Sequence, residues 1–145
     1  MEIISKSANA TKKVAALLVK TIKEQPLSGA ALVIALEGNL GAGKTTFIQG
    51  LASGLGIKES VLSPTFLILK QFPIDQKNYN NFYHIDTYRL KNPKELLELG
   101  FGDLIKNPEN LIVIEWADKI KKILPKDILW VRFENFGKNK RRIIL

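Results

Sequence analysis

The stretch Ala30-Ala31-Leu32-Val33-Ile34-Ala35-Leu36-Glu37-Gly38-Asn39-Leu40-Gly41-Ala42-Gly43-Lys44-Thr45-Thr46-Phe47 decides the fold. Its opening run, Ala30 to Leu36, is apolar almost without interruption, as a strand covered on both faces of a parallel sheet must be. That strand is expected to stop at Glu37-Gly38. Gly38 to Thr45 then satisfies G-x-x-x-x-G-K-[ST] at every required position, and the motif carries its mechanism only where it follows a strand and opens a helix. Phe47, Leu51 and Leu55 follow at fourfold spacing, and Gly54 and Gly56 close the segment, so a helix is expected from near Lys44 to Leu55.

Each residue type in the loop has a chemical reason. Gly38, Gly41 and Gly43 let the backbone turn so that successive N–H groups face inward, with no Cβ to block a phosphate. The helix that follows adds its positive end. Lys44 would reach the β and γ phosphates as a point charge, and the Thr45 hydroxyl would be a magnesium ligand. Such a site also needs a carboxylate on the metal side and a group to act on water. Two candidates stand at the ends of predicted strands. Glu115 closes the run Leu111-Ile112-Val113-Ile114 and suits the metal side; Asp86 closes Phe82-Tyr83-His84-Ile85 and suits the attacking water or a supporting shell.

Working outward, Val14, Leu17, Leu18 and Ile22 fall at helical spacing between Ala8 and Glu24, with Lys12, Lys13, Lys20 and Lys23 expected to face water and Pro26 ending the helix. Thr65 to Phe72 and Asn81 to Tyr88 suggest two strands joined by a long polar loop. Pro93 to Leu99 suggests a short helix capped by Asn92 and ended by Gly100. Ile128 to Phe133 and Arg141 to Leu145 suggest two last strands around a turn at Gly137. Ser63-Pro64-Thr65-Phe66 sits where a switch segment would lie, although Ser-Pro-Thr by itself is a turn. His84 is expected to be a packed or hydrogen-bonded side chain, and Trp116 a core residue or a flank of the site. Alternating helices and strands make this an α/β chain.

Composition sets the outer bounds. The chain has 145 residues, 46% of them apolar and 25% charged, enough for one core spanning 1–145. It has no Cys, which excludes disulfides, thiolate zinc and cysteine nucleophiles, and its one His excludes a multi-His metal site. No apolar run reaches membrane-span length, and Glu2, Lys6, Lys12 and Lys13 leave no signal-peptide block, so a soluble, cytoplasmic protein with no membrane partner is expected. A net charge of +8 favours polyanions or is simply a lysine-rich solvated face.

Five segments in order go further: Gly38 to Phe47, Ser63-Pro64-Thr65-Phe66, His84-Ile85-Asp86-Thr87-Tyr88-Arg89-Leu90, Glu98-Leu99-Gly100-Phe101 and Val113-Ile114-Glu115-Trp116-Ala117. In sequence and spacing they closely resemble the bacterial TsaE family (formerly YjeE). The resemblance implies a P-loop NTPase-like three-layer domain with a central mixed, largely parallel sheet. It implies an ATPase of tRNA threonylcarbamoyladenosine biosynthesis, with ATP and Mg2+, that supports turnover of TsaB and TsaD, the latter modifying adenosine 37 of tRNA; tRNA itself would be met through that complex. Carried onto this chain, Asn39, Leu40, Gly41, Ala42, Gly43, Lys44, Thr45 and Thr46 bind the nucleotide, and Thr45 and Glu115 hold magnesium. Asp86, Lys44 and Thr65 serve hydrolysis, Trp116 flanks the nucleotide, and Thr11 approaches the adenine. Departures from the family pattern are Asn39 where an acid is common, Ala117 where Pro is usual, and Asp118-Lys119 after it.

Two other functions fit parts of the same sequence. A nucleoside or small-molecule kinase would share the loop, but such enzymes carry an arginine-rich lid, and Arg occurs here only at 89, 132, 141 and 142. A nucleic-acid-binding module would need basic residues interleaved with aromatics, and the densest basic cluster, Lys138 to Arg142, lacks them.

Overall fold

A computed structural model describes residues 1–62 and 68–145. Among these described residues seven strands form one sheet: β1 (Glu2–Ser5), β2 (Leu32–Gly38), β3 (Leu69–Pro73), β4 (Asn81–Asp86), β5 (Asn110–Glu115), β6 (Leu129–Asn135) and β7 (Arg141–Ile144). Their order is β1-β7-β6-β2-β5-β4-β3. The centre is parallel, with β2 paired to β5 on one side and β6 on the other, and β4 parallel to β5. Antiparallel pairs close both edges. The sheet is therefore mixed and parallel where it is deepest, as the apolar runs 30–36 and 111–115 require. Every residue of β5 is buried, and each fully buried Leu, Ile or Val there contributes about 1.5–3 kcal/mol of apolar burial.

The sheet is covered on both faces. On one lie α1 (Ala8–Glu24) and α2 (Lys44–Gly54), packed over Ile34, Leu36, Val113, Val131 and Phe133. On the other lie α3 (Lys94–Glu98), α4 (Phe101–Leu104) and a 3-10 helix (Ala117–Ile123), packed over Val33, Ala35, Ile112 and Ile114. Adjacent residues of β2 and β5 thus feed opposite cores, which is the period-2 alternation of a strand buried twice. Among the described residues no helix is long and apolar enough to cross a membrane.

α1 spans the expected residues and starts on an N-cap, the Ser7 Oγ accepting from the Ala10 N–H at 3.0 Å. Its buried stripe differs from the expected one. Thr11, Ala15, Val19 and Ile22 face inward, whereas Leu17 is 65% exposed. α2 approaches that face closely: a Cβ built on Gly50 would lie 2.6 Å from the Lys12 carbonyl and 2.8 Å from the Ala15 Cβ. Thr11, Ala15, Val19 and Ile22 follow one another at helical spacing on the face turned to α2, while Leu17 stands about 200° round the helix from Ala15 and so faces away from that seam. Lys12, Lys13 and Lys20 are exposed as expected, while Lys23 is half-buried and donates from Nζ to the Gly54 carbonyl at 2.8 Å.

Three elements add to the sequence reading. β1 pairs with β7 at the opposite end of the chain, Glu2 opposite Ile144. α4 begins directly after Gly100, which takes φ 90 and separates it from α3. The 3-10 helix follows Trp116. β2 ends at Gly38, where the strand is expected to stop, but begins at Leu32, two residues inside the apolar run.

Candidate nucleotide site

The loop after β2 lies at the carboxyl end of the central strand, where ligands of open parallel sheets collect. Gly38 has φ 151, and a Cβ there would stand 2.6 Å from the Phe133 carbonyl of β6, so this position needs glycine. Gly43, at φ 102, is the N-cap of α2, and its carbonyl accepts from the Phe47 N–H at 3.0 Å. Between them the Ala42 N–H donates to the Asn39 carbonyl at 3.0 Å, closing the loop. Lys44, only 6% exposed, donates from Nζ to the carbonyls of Gly38 and Asn39, the latter at 2.9 Å. Its ammonium also lies 4.0 Å from the centre of the Trp116 ring. Burial holds the Lys44 amine below its ordinary pKa, against the pull of Glu115, Asp118 and Asp86.

Parallel pairing delivers the carboxylates. Asp86 and Glu115 are register partners at the ends of β4 and β5. Glu115, 3% exposed, divides its oxygens between two neighbours: Oε1 accepts from the Thr45 Oγ1 hydroxyl at 3.0 Å, and Oε2 lies 2.8 Å from His84 Nε2. Asp86 Oδ1 accepts from the Tyr88 N–H at 2.9 Å. Burial raises the Asp86 pKa; that N–H pulls it back down, and the charge of Glu115 adds to the rise.

The strand end is clamped from the side by Thr87, a fully buried residue whose Oγ1 sits 2.9 Å from the Glu115 carbonyl and 2.7 Å from that of Trp116. Trp116 itself has φ 59, a left-handed conformation rare outside glycine. Its ring centre is 4.0 Å from the Lys44 ammonium and 5.0 Å from the centre of the tilted Tyr88 ring.

These groups border a cleft of about 880 Å3, lined by loop residues Leu40 to Thr46 together with Thr11, Asp86, Glu115 and Trp116. The structure therefore brings together all the candidate residues named from sequence except two. Asn39 borders a smaller adjoining groove with Glu37 and Arg132, and meets the site through its carbonyl. Thr65 lies outside the described residues. Thr11 is buried, its Oγ1 2.7 Å from the Ser5 Oγ and 3.3 Å from the Ser7 carbonyl, which ties β1 to the first turn of α1.

Sequence reasoning missed part of the cleft wall. Lys6, Ser7, Asn139 and Arg141 all line the cleft, brought there by the β1–β7 pairing, Ser5 opposite Arg141. The Arg141 side chain passes 3.7 Å from where a Gly43 Cβ would be. The available signal was the basic run ending in Arg141-Arg142, which says nothing about place until the last strand is set beside the first.

Comparison with known proteins agrees with this architecture. The family described as "Threonylcarbamoyl adenosine biosynthesis protein TsaE" matches residues 5–143. A protein of Rickettsia conorii named tRNA threonylcarbamoyladenosine biosynthesis protein TsaE is 38% identical over 138 residues, covering 93% of this chain and 71% of its own. The protein of that name from Haemophilus influenzae is 40% identical over 119 residues, 81% of this chain and 70% of its own. The crystal structure of YdiB from Bacillus subtilis superposes with a TM-score of 0.77 at 31% identity, covering 99% of this chain and 82% of that one. The chain belongs to the TsaE family of tRNA threonylcarbamoyladenosine biosynthesis.

Proposed function

We propose that the chain binds ATP with Mg2+ in this cleft and hydrolyses it slowly, supporting turnover of a TsaB–TsaD complex that modifies adenosine 37 of tRNA in the cytoplasm. One observation carries the proposal: Lys44, Thr45, Asp86 and Glu115 converge from the carboxyl ends of β2, β4 and β5 on one cleft.

The donor set fits magnesium. Thr45 Oγ1 and Glu115 Oε1 are hard oxygens 3.0 Å apart at the start of α2, and Mg2+ is held by one or two such protein groups together with water and phosphate. Among the described residues no cluster of three His, Cys, Asp or Glu gathers to hold a metal by itself, so the nucleotide phosphates would complete the shell. Bound there, the ion would neutralise charge on the β and γ phosphates.

The chain's own groups do the rest. The loop amides and the amino end of α2 meet the phosphate oxygens. Lys44 exchanges the carbonyls of Gly38 and Asn39 for phosphate, so its charge is already held at the mouth of the loop before the ligand arrives. Asp86, whose raised pKa makes it a better proton acceptor than an ordinary carboxylate, acts on the attacking water. The test is reconstitution with TsaB and TsaD. A nucleotide-dependent complex that sustains several modification cycles supports the proposal, and cycles that proceed equally without this chain refute it.

A further inference from the structure

His84 is the one histidine of the chain and is fully buried. It stands on β4 two residues after Phe82 and two before Asp86, hence on the same face of the strand. Phe82 packs into the core beneath α1 and α2. His84 Nε2 lies 2.8 Å from Glu115 Oε2, while its Nδ1 is buried with no hydrogen-bond partner among the described residues. An ionised carboxylate only accepts, so Nε2 carries the hydrogen and donates.

That arrangement is costly as packing. A buried ring nitrogen without a partner forfeits its hydration, and an apolar ring such as that of Phe82 fills space without this loss. The one polar contact His84 makes among the described residues is with Glu115, and it is made by a rigid ring anchored in a central strand. Holding Oε2 leaves Oε1 turned toward Thr45 Oγ1, the side on which the magnesium pair is formed.

We propose that His84 is a positioning residue for the metal-holding carboxylate: its Nε2–H fixes the rotamer of Glu115 so that Oε1 and Thr45 Oγ1 present one magnesium site. This rests on the magnesium–nucleotide reading above. A glutamate has three rotatable side-chain bonds, and freezing them before the ion binds removes an entropic cost from binding. His84 does not touch the nucleotide in this account, so its loss acts on metal affinity and leaves metal-free nucleotide binding intact.

The test is Mn2+ binding, followed by its paramagnetic resonance signal in the presence of ADP, beside ADP binding measured in EDTA. The wild-type protein is expected to take up Mn2+ with ADP. His84→Leu is expected to weaken Mn2+ by about 10- to 100-fold, the range for outer-shell partners of metal ligands, with ADP affinity in EDTA unchanged. His84→Gln, whose amide nitrogen reaches the Nε2 position, is expected to restore most of the loss. His84→Asn, whose amide reaches only the Nδ1 position, is not. Wild-type Mn2+ affinity in His84→Leu, or an equal loss of ADP binding in EDTA, overturns the positioning role. Should thermal melting show that His84→Leu does not fold, the Gln and Asn variants decide, and equal Mn2+ affinities in those two overturn it. Failure of the wild-type protein to bind Mn2+ with ADP overturns the magnesium–nucleotide reading itself, a distinguishable result.

Discussion

Thr45 Oγ1 and Glu115 Oε1 meet at 3.0 Å across 70 residues of sequence, joining the first turn of α2 to the last residue of β5. The contact exists because β2 and β5 are parallel neighbours, Leu36 opposite Glu115, so the loop after one strand starts beside the end of the other. If these oxygens hold the ion, Thr45→Val and Glu115→Gln should each weaken ADP binding in Mg2+ by about 10-fold or more, as expected for losing a charge-assisted ligand of about 1.5–3 kcal/mol. Binding in EDTA should change far less. Calorimetric titrations with and without Mg2+ check this, and equal losses in both conditions would contradict the assignment.

The Lys44 ammonium, 4.0 Å from the Trp116 ring centre, gives an optical readout. When phosphate draws Nζ away from the loop carbonyls, the indole loses the nearer of two lysines, a contact of about 0.5–2 kcal/mol, while Lys119 Nζ remains 5.8 Å from its ring centre. Tryptophan emission should shift on adding ADP. Trp130→Phe, which leaves Trp116 as the remaining indole, should keep the shift, and Trp116→Phe should abolish it.

Asp86 allows two independent checks. Asp86→Asn should lower hydrolysis by about 10²- to 10⁴-fold, the span of general acid–base effects, while ADP binding persists. The same change should raise thermal stability near neutral pH. A carboxyl whose pKa is raised by folding binds its proton more tightly in the native state, so ionising it costs stability as pH climbs above the ordinary value of 3.8. Asn removes that cost. Melting curves of the two proteins should therefore diverge at neutral pH and converge in acid, below the unfolded pKa; divergence of the opposite sign would rule out the raised pKa.

Gly50 links packing to the site. Ala at this position gains about 1 kcal/mol of helix propensity, yet its Cβ would stand 2.6 Å from the Lys12 carbonyl and 2.7 Å from the Lys12 Cα, both backbone atoms. Overpacking of that kind costs about 1–3 kcal/mol. Gly50→Ala should therefore destabilise on balance in urea denaturation. Because α1 also carries Thr11 to the cleft wall, the variant should bind ADP more weakly than wild type.

What was legible in the sequence was local. The loop 38–45 could be assigned chemistry because its glycines, Lys44 and Thr45 lie within a few residues of one another, and the runs 30–36 and 111–114 announced buried strands through their lack of polar residues. β1 was not legible: its four residues, Glu2 to Ser5, have no periodicity long enough to register and exist as a strand through pairing with Arg141 to Ile144. That same long-range pairing hid Lys6, Asn139 and Arg141 from the site. Leu17 shares an apolar pattern with Val14, Leu18 and Ile22, yet the buried stripe is set by which face meets α2, and Leu17 stands outside it. His84 could be read as a buried histidine but not as a neighbour of Glu115, since that contact depends on the register of β4 against β5.

Binding of ATP with Mg2+ at the Lys44 loop for hydrolysis is the proposal on which the other predictions depend. The most direct test is phosphate release from ATP by the purified chain, with Mg2+ and with EDTA, for wild type and Lys44→Ala. Slow release that requires Mg2+ and is abolished in Lys44→Ala is predicted. Release that is indifferent to Mg2+, or undiminished in Lys44→Ala, would contradict it.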